Sequence, residues 1–200
     1  MTGDSRPELH GPALLGAALD LAARAHDGQV DKAGHDYLAH PLRVAARVVD
    51  AGWEAVAVAL LHDVVEDSDV GVEDLVAAGF PAPVAEAVDH LTRRDGESHA
   101  DAVRRAAADP LAALVKRADV ADNADPARLA LLPQEVRTRL IARYERAVTL
   151  LDAAGAPAAP PASPPAAPPA APPASPPASP TTSPPAAPPA SPTGTSGAPR

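Results

Sequence analysis

Four ionisable residues, His62, Asp63, Glu66 and Asp67, interrupt the most apolar run of the chain, WEAVAVALLHDVVED. Read as one continuous helix at about 100° per residue, the four fall within an arc of roughly 140°, with Val64 and Val65 pointing away from it. Three carboxylates that close repel one another, and burying them unpaired is expensive. A cation must relieve that repulsion, and a divalent metal fits better than a lysine. Adjacent His62 and Asp63 can reach one ion from the same side. Glu66 and Asp67, one turn further on, then face a substrate rather than the ion. Asp69 reads as part of a solvated helix exit.

Two further ligands are needed. His40 immediately precedes Pro41 at the start of a helix, where a lone histidine is more often a cap or a surface group. Asp119 lies in LVKRADVADN, flanked by Leu114, Val115 and Val120, where a lone aspartate is more often paired or half-exposed. Neither stands out singly; together with the His62–Asp63 pair they make a metal-binding set.

The elements that must position these residues are helical. Apolar residues recur at helical spacing through the first 152 positions. The first helix runs through ALLGAALDLAARAHDG to Gly28, a plausible C-terminal cap. Pro41 opens PLRVAARVVDAG, which Gly52 stops. The third, WEAVAVALLHDVVED, is central. VEDLVAAG, PVAEAVDHLTRR, SHADAVRRAAAD and PLAALVKRADVADN follow, and a long last helix runs from Pro133 to Gly155. No sustained alternation marks a strand, so the expected fold is all-α, one helical domain over residues 8–154.

From Ala156 onward the composition changes. Eighteen of the 26 prolines lie there, repeating as PPAA and PPAS, with no acidic residue, no aromatic residue and Arg200 as the sole basic one. Such a segment cannot bury enough apolar surface to offset the entropy of ordering it. Residues 156–200 are therefore expected to form a disordered, polyproline-rich spacer.

Charge and composition narrow the function. The chain carries 26 acidic against 17 basic residues, nearly all before the tail, and such a surface repels nucleic acid and anionic membranes. Any anionic substrate needs a local cation. No cysteine is present, which excludes disulfides, zinc–thiolate sites and thiol catalysis. The N-terminus lacks a basic segment followed by an apolar run of signal length. No stretch approaches ~18 uninterrupted apolar residues. A cytoplasmic protein is the expectation, and the sequence leaves oligomeric state open.

The segments AHDGQVDKAGHDYLAHP, LLHDVVEDS and VKRADVADN resemble, in order over Leu19 to Asp125, the HD hydrolase domain of the RelA/SpoT alarmone proteins. The stand-alone small alarmone hydrolases are especially similar. The resemblance implies a compact α-helical HD-domain bundle with one divalent ion, usually manganese, held by His40, His62, Asp63 and Asp119. It further implies that Glu66 and Asp67 orient and activate the attacking water, and that Lys32, Tyr37, Asn123 and, more weakly, Lys116 face a nucleotide. The implied reaction removes pyrophosphate from the 3′ position of guanosine tetra- or pentaphosphate. Two imidazoles and two carboxylates suit Mn²⁺, Fe²⁺ or Zn²⁺, and such an ion lowers the pKa of bound water and polarises a phosphoryl oxygen.

The chain departs from that pattern in two places. Where the family reads RKSG, this chain has Asp31-Lys32-Ala33-Gly34, an acid in place of the arginine. Where it reads LHNMRT, this chain has Val120 to Pro126, losing an arginine and a threonine near the nucleoside; Arg128 or Arg117 are candidates to compensate. These departures keep two alternatives open: hydrolysis of another nucleotide, or a non-catalytic domain that binds alarmone or a protein partner. Among the remaining histidines, His26 reads as a structural hydrogen-bonder, His99 as exposed, His90 as lacking an acidic partner, and His10 and His35 as surface residues. A second metal is not expected.

Overall fold

The computed structural model describes residues 7–31 and 34–155. The expected disordered tail over 156–200, and Lys32, lie outside the described residues.

In chain order the helices are α1 (Gly11–Ala25), α2 (Ala39–Arg47), α3 (Trp53–Leu61), α4 (Val64–Asp67), α5 (Val72–Ala78), α6 (Ala82–Leu91), α7 (His99–Ala107), α8 (Pro110–Asn123), α9 (Pro126–Ala130) and α10 (Gln134–Ala153), with a 3-10 turn at Val49–Ala51 between α2 and α3. Extended pairing among the described residues is limited to one isolated antiparallel bridge, Val30 with Asp36.

Helix α3 is the axis of the bundle. Every residue from Ala55 to Leu61 is buried, as expected of a helix apolar all round. Its alanines let neighbours approach closely. Helix α1 packs Leu14, Ala18 and Ala22, spaced by four, onto it, and α2, α6 and α8 cover its other sides. A smaller core of Val103, Val120, Ala147 and Leu151, backed by Tyr144, joins α7, α8 and α10. Each large side chain removed from water in this way contributes ~1.5–3 kcal/mol.

Local sequence sets the helix ends. Ser98, Asp109 and Asp125 each accept a backbone N–H from the first turn of α7, α8 and α9, a side-chain cap typically worth ~1 kcal/mol. Gly79 closes α5 in the left-handed conformation at φ 93°, which only glycine adopts without steric cost.

Two expectations need correction, and one short helix goes beyond them. The segment from Trp53 to Asp67 is two helices rather than one. It breaks at His62 and Asp63, where Asp63 adopts φ −105°, ψ −7° and the His62 ring binds the Ala59 carbonyl that the helix would otherwise use. The even 140° arc of an unbroken helix therefore does not exist. The second helix stops at Arg47, and a 3-10 turn replaces its expected end before Gly52. Pro126 opens the short helix α9, because Asp125 caps it and proline is pre-set for a first helical turn.

Candidate metal centre

The helix break brings His62 and Asp63 together. In a regular helix adjacent side chains diverge by about 100°, whereas here His62 Nε2 lies 3.1 Å from Asp63 Oδ2. His62 is buried, and its Nδ1 meets the Ala59 carbonyl at 2.8 Å. That contact places a proton on Nδ1 and turns Nε2 toward the cluster. Nε2 is buried and finds no hydrogen-bond partner.

His40, in the first turn of α2, completes the pair of imidazoles. Its Nε2 lies 3.2 Å from Asp119 Oδ1 and 3.8 Å from Asp63 Oδ2. One ligand atom each from His40, His62 and Asp119 lie within 4.8 Å of one another, a cluster able to hold a metal ion. A buried nitrogen without a partner, facing carboxylate oxygens and a second imidazole, fits a divalent cation. His40, His62, Asp63 and Asp119, taken from α2, the α3–α4 break and α8, are thus brought to one place.

The electrostatics of the cluster point the same way. Burial alone would lower the pKa of His40, but hydrogen bonding to Asp119 and Asp122 pushes it up to about 10. Burial would raise Asp119 and Asp63; Lys116 and His40 hold Asp119 well below its usual range, and His62 does the same for Asp63. In the absence of an ion, imidazole protons supply the positive charge.

Three of the residues expected to face a nucleotide are tied to carboxylates of the cluster. Tyr37 donates its hydroxyl to Asp63 Oδ2 at 2.6 Å, Lys116 Nζ donates to Asp119 Oδ2 at 2.8 Å, and Asn123 Nδ2 donates to Asp119 Oδ1 at 2.5 Å. All three also line a cavity of about 800 Å³ that opens on the cluster. Burial, then the charge of Asp63, raises the Tyr37 phenol, which stays a donor. The isolated bridge Val30–Asp36 and the bond from Tyr37 N to the Gln29 carbonyl (3.0 Å) fold the preceding loop so that Tyr37 reaches the centre.

Glu66 and Asp67, on α4, line the same cavity. Glu66 Oε2 accepts the backbone N–H of Arg93 at 3.1 Å. Burial, then the charges of Asp63 and Glu66, raises the Asp67 carboxyl. Asp31 also lines the cavity; it lies 3.6 Å from Arg128 and accepts the backbone N–H of His35 at 3.0 Å.

Two other residues need comment. His99, expected to be exposed, is half-buried on the cavity wall, because α7 packs it toward α8 and α10. Burial, then Arg143 and Lys116, lowers its pKa to about 4. Asp122 was assigned no role from the sequence, yet it is fully buried in the centre's outer layer. Its Oδ2 sits 2.8 Å from His40 Nδ1, while Arg43 Nε and Arg128 Nη1 donate to its two oxygens at 2.9 Å each. The signal available was spacing: Asp119 and Asp122 are three apart and share one face of α8.

Comparison with known proteins gives consistent matches. The family described as HD domain matches residues 18–163. The guanosine-3′,5′-bis(diphosphate) 3′-pyrophosphohydrolase of Vibrio cholerae is 43% identical over 77 residues, which cover 38% of this chain and 11% of that protein. A protein of the same name from Aquifex aeolicus is 32% identical over 116 residues, 53% of this chain and 16% of that one. The GTP pyrophosphokinase of Streptomyces coelicolor is 37% identical over 117 residues, 53% and 14%. The chain thus spans only a small part of the length of these curated relatives. A solved structure described as a metazoan ortholog of SpoT that hydrolyzes ppGpp superposes with a TM-score of 0.60 at 26% identity, covering 71% of this chain and 87% of that one.

Proposed function

Since the chain belongs to the HD domain family, we propose that it is a metal-dependent phosphohydrolase that removes the 3′-pyrophosphate of ppGpp in the cytoplasm. The observation that carries this reading is the buried Nε2 of His62, without a hydrogen-bond partner, among His40, Asp63 and Asp119, the last three of which line a cavity together with Glu66 and Asp67. The relatives that bear the matching activity in their names lend the substrate.

His40, His62, Asp63 and Asp119 would hold the ion, for which Mn²⁺ is the proposed identity. When bound, it supplies a Lewis acid for a phosphoryl oxygen and for water. Glu66 takes a proton from the attacking water, its second carboxylate oxygen being held by the Arg93 N–H. Asp67, whose raised pKa favours proton binding, delivers a proton to the leaving O3′ as the bond from O3′ to phosphorus breaks. Water is consumed, and GDP and pyrophosphate leave. Lys116 neutralises charge on the diphosphate side as a point charge, Tyr37 and Asn123 orient carboxylate ligands, and Lys32 contacts the diphosphate.

Purified protein incubated with Mn²⁺ and ppGpp should release GDP and pyrophosphate in equal amounts. Absence of turnover with metal bound sinks the substrate assignment. Glu66→Gln is expected to lower kcat by ~10²–10⁴-fold while Mn²⁺ affinity stays unchanged. Retained activity would remove Glu66 as the base, whereas binding of nucleotide with no turnover in either form would instead favour a binding domain. One observation supports hydrolysis of a different nucleotide: Asp31 stands on the cavity wall, an acid that disfavours a densely phosphorylated ligand. A nucleotide panel decides between them, and preference for monophosphates selects this second reading.

A further inference from the structure

Arg105 stands in the last turn of α7 and lines no part of the cavity. A guanidinium carries five N–H donors in a rigid fork, and here each one is used. Nε and Nη2 donate to the two carboxylate oxygens of Glu97 at 3.0 and 2.6 Å. Nη1 donates to the carbonyls of Asp89 and His90 at 2.9 and 2.7 Å, and Nη2 also to that of Thr92 at 2.8 Å. The three carbonyls belong to the end of α6, where helical donors run out. In return the Arg105 carbonyl meets His90 Nδ1 at 2.9 Å, tying α7 back to α6.

Glu97 extends this clamp through the connecting loop. Arg105, then the backbone of Arg94, holds its carboxyl down at about 2, so it is fully ionised near neutral pH. Its carboxylate accepts the Arg94 N–H at 2.9 Å, and its main-chain carbonyl accepts Nε and Nη2 of Arg93 at 3.3 and 3.1 Å. Both ends of the Arg93–Arg94 step are therefore fixed. The Arg93 N–H, at the start of that step, donates to Glu66 Oε2.

We infer that Arg105 is a positioning residue for Glu66, acting through Glu97 and the backbone N–H of Arg93. The inference rests on the reading of Glu66 as the base of the proposed hydrolysis. One oxygen of Glu66 is anchored to a backbone that Arg105 immobilises, so the other is offered to water in a fixed direction. A lysine at 105 keeps the charge but cannot satisfy five acceptors.

The test is a double-mutant cycle on the full chain with Mn²⁺ and ppGpp, combined with amide exchange. Arg105→Lys is expected to lower kcat by roughly tenfold or more, with KM and Mn²⁺ affinity within about twofold. In a Glu66→Gln background the same change should alter the residual rate by less than about twofold, since the two act in series. Exchange of the Arg93 amide, followed by NMR, should be faster in Arg105→Lys. A merely structural arginine would lower the melting temperature and cost the same factor in both backgrounds, and that result overturns the inference, as does unchanged Arg93 exchange. If the wild type turns nothing over, the hydrolase reading fails on its own, and the exchange measurement still decides whether Arg105 fixes the Arg93 amide. Should Arg105→Lys not fold, Glu97→Gln, which keeps the carbonyl contacts of Arg105, carries the same expectations.

Discussion

Asp122 shows how a side chain outside the candidate ligand set holds one inside it. Its carboxylate is buried with three cationic or potentially cationic partners: His40, Arg43 and Arg128. Asp122→Ala would free the His40 ring to turn and leave Arg43 and Arg128 facing a buried gap. Mn²⁺ affinity should fall by ~10–100-fold, the usual cost of losing a ligand's outer partner, measurable by calorimetric titration. The pKa of His40 adds a second expectation. In the metal-free protein it is raised from 6.5 to about 10. Its protonation therefore stabilises the metal-free fold fully below pH ~6.5, and that contribution is lost as pH rises through about 10. An ion must displace that proton, so Mn²⁺ binding should tighten between pH 7 and 8.5 and release about one proton or more per ion. Titration in buffers of different ionisation enthalpy measures the release. Affinity independent of pH would remove His40 from the ligand set.

At the scale of elements, the decisive event is the interruption of the third helix. His62 and Asp63 stand out in the sequence as candidate ligands because they sit next to each other in an apolar run, but the break that makes them converge was not legible there. Nothing in VALLHDVV forbids a continuous helix; the competition between a ring nitrogen and a backbone donor for the Ala59 carbonyl decides it. The Arg105 clamp and the link from Glu66 to Arg93 were likewise invisible, since they join positions 27 and eight residues apart or more through folded loops. Helical periodicity, by contrast, read the core well: Leu14, Ala18 and Ala22 face α3 as their spacing requires. The close approach of α1 to α3 depends on alanines. Ala57, wholly buried, should tolerate enlargement poorly, and Ala57→Leu is expected to cost ~1–3 kcal/mol in denaturant unfolding. A neutral result would mean that the interface has unused room.

For the molecule as a whole, the cluster joins α2, the α3–α4 break and α8 through polar atoms. An ion held there would therefore tie together segments that are far apart along the chain. At a hundredfold excess over Kd the ion should stabilise the fold by about 2.7 kcal/mol, seen as a higher melting temperature that a chelator reverses. Among the described residues no helix is long and apolar enough to cross a membrane. The two imidazoles of the cluster differ in one respect. The ring of position 62 leans on a main-chain oxygen that no substitution can recharge, whereas that of position 40 leans on a carboxylate answered by an arginine whose side chain is 41% exposed. Were His40 to hold the ion, its basicity would thereby be linked to the protein's exterior: exchanging Arg43 would retune the ion's acidity without altering any atom that touches it, giving natural variation or engineering a remote dial on the chemistry.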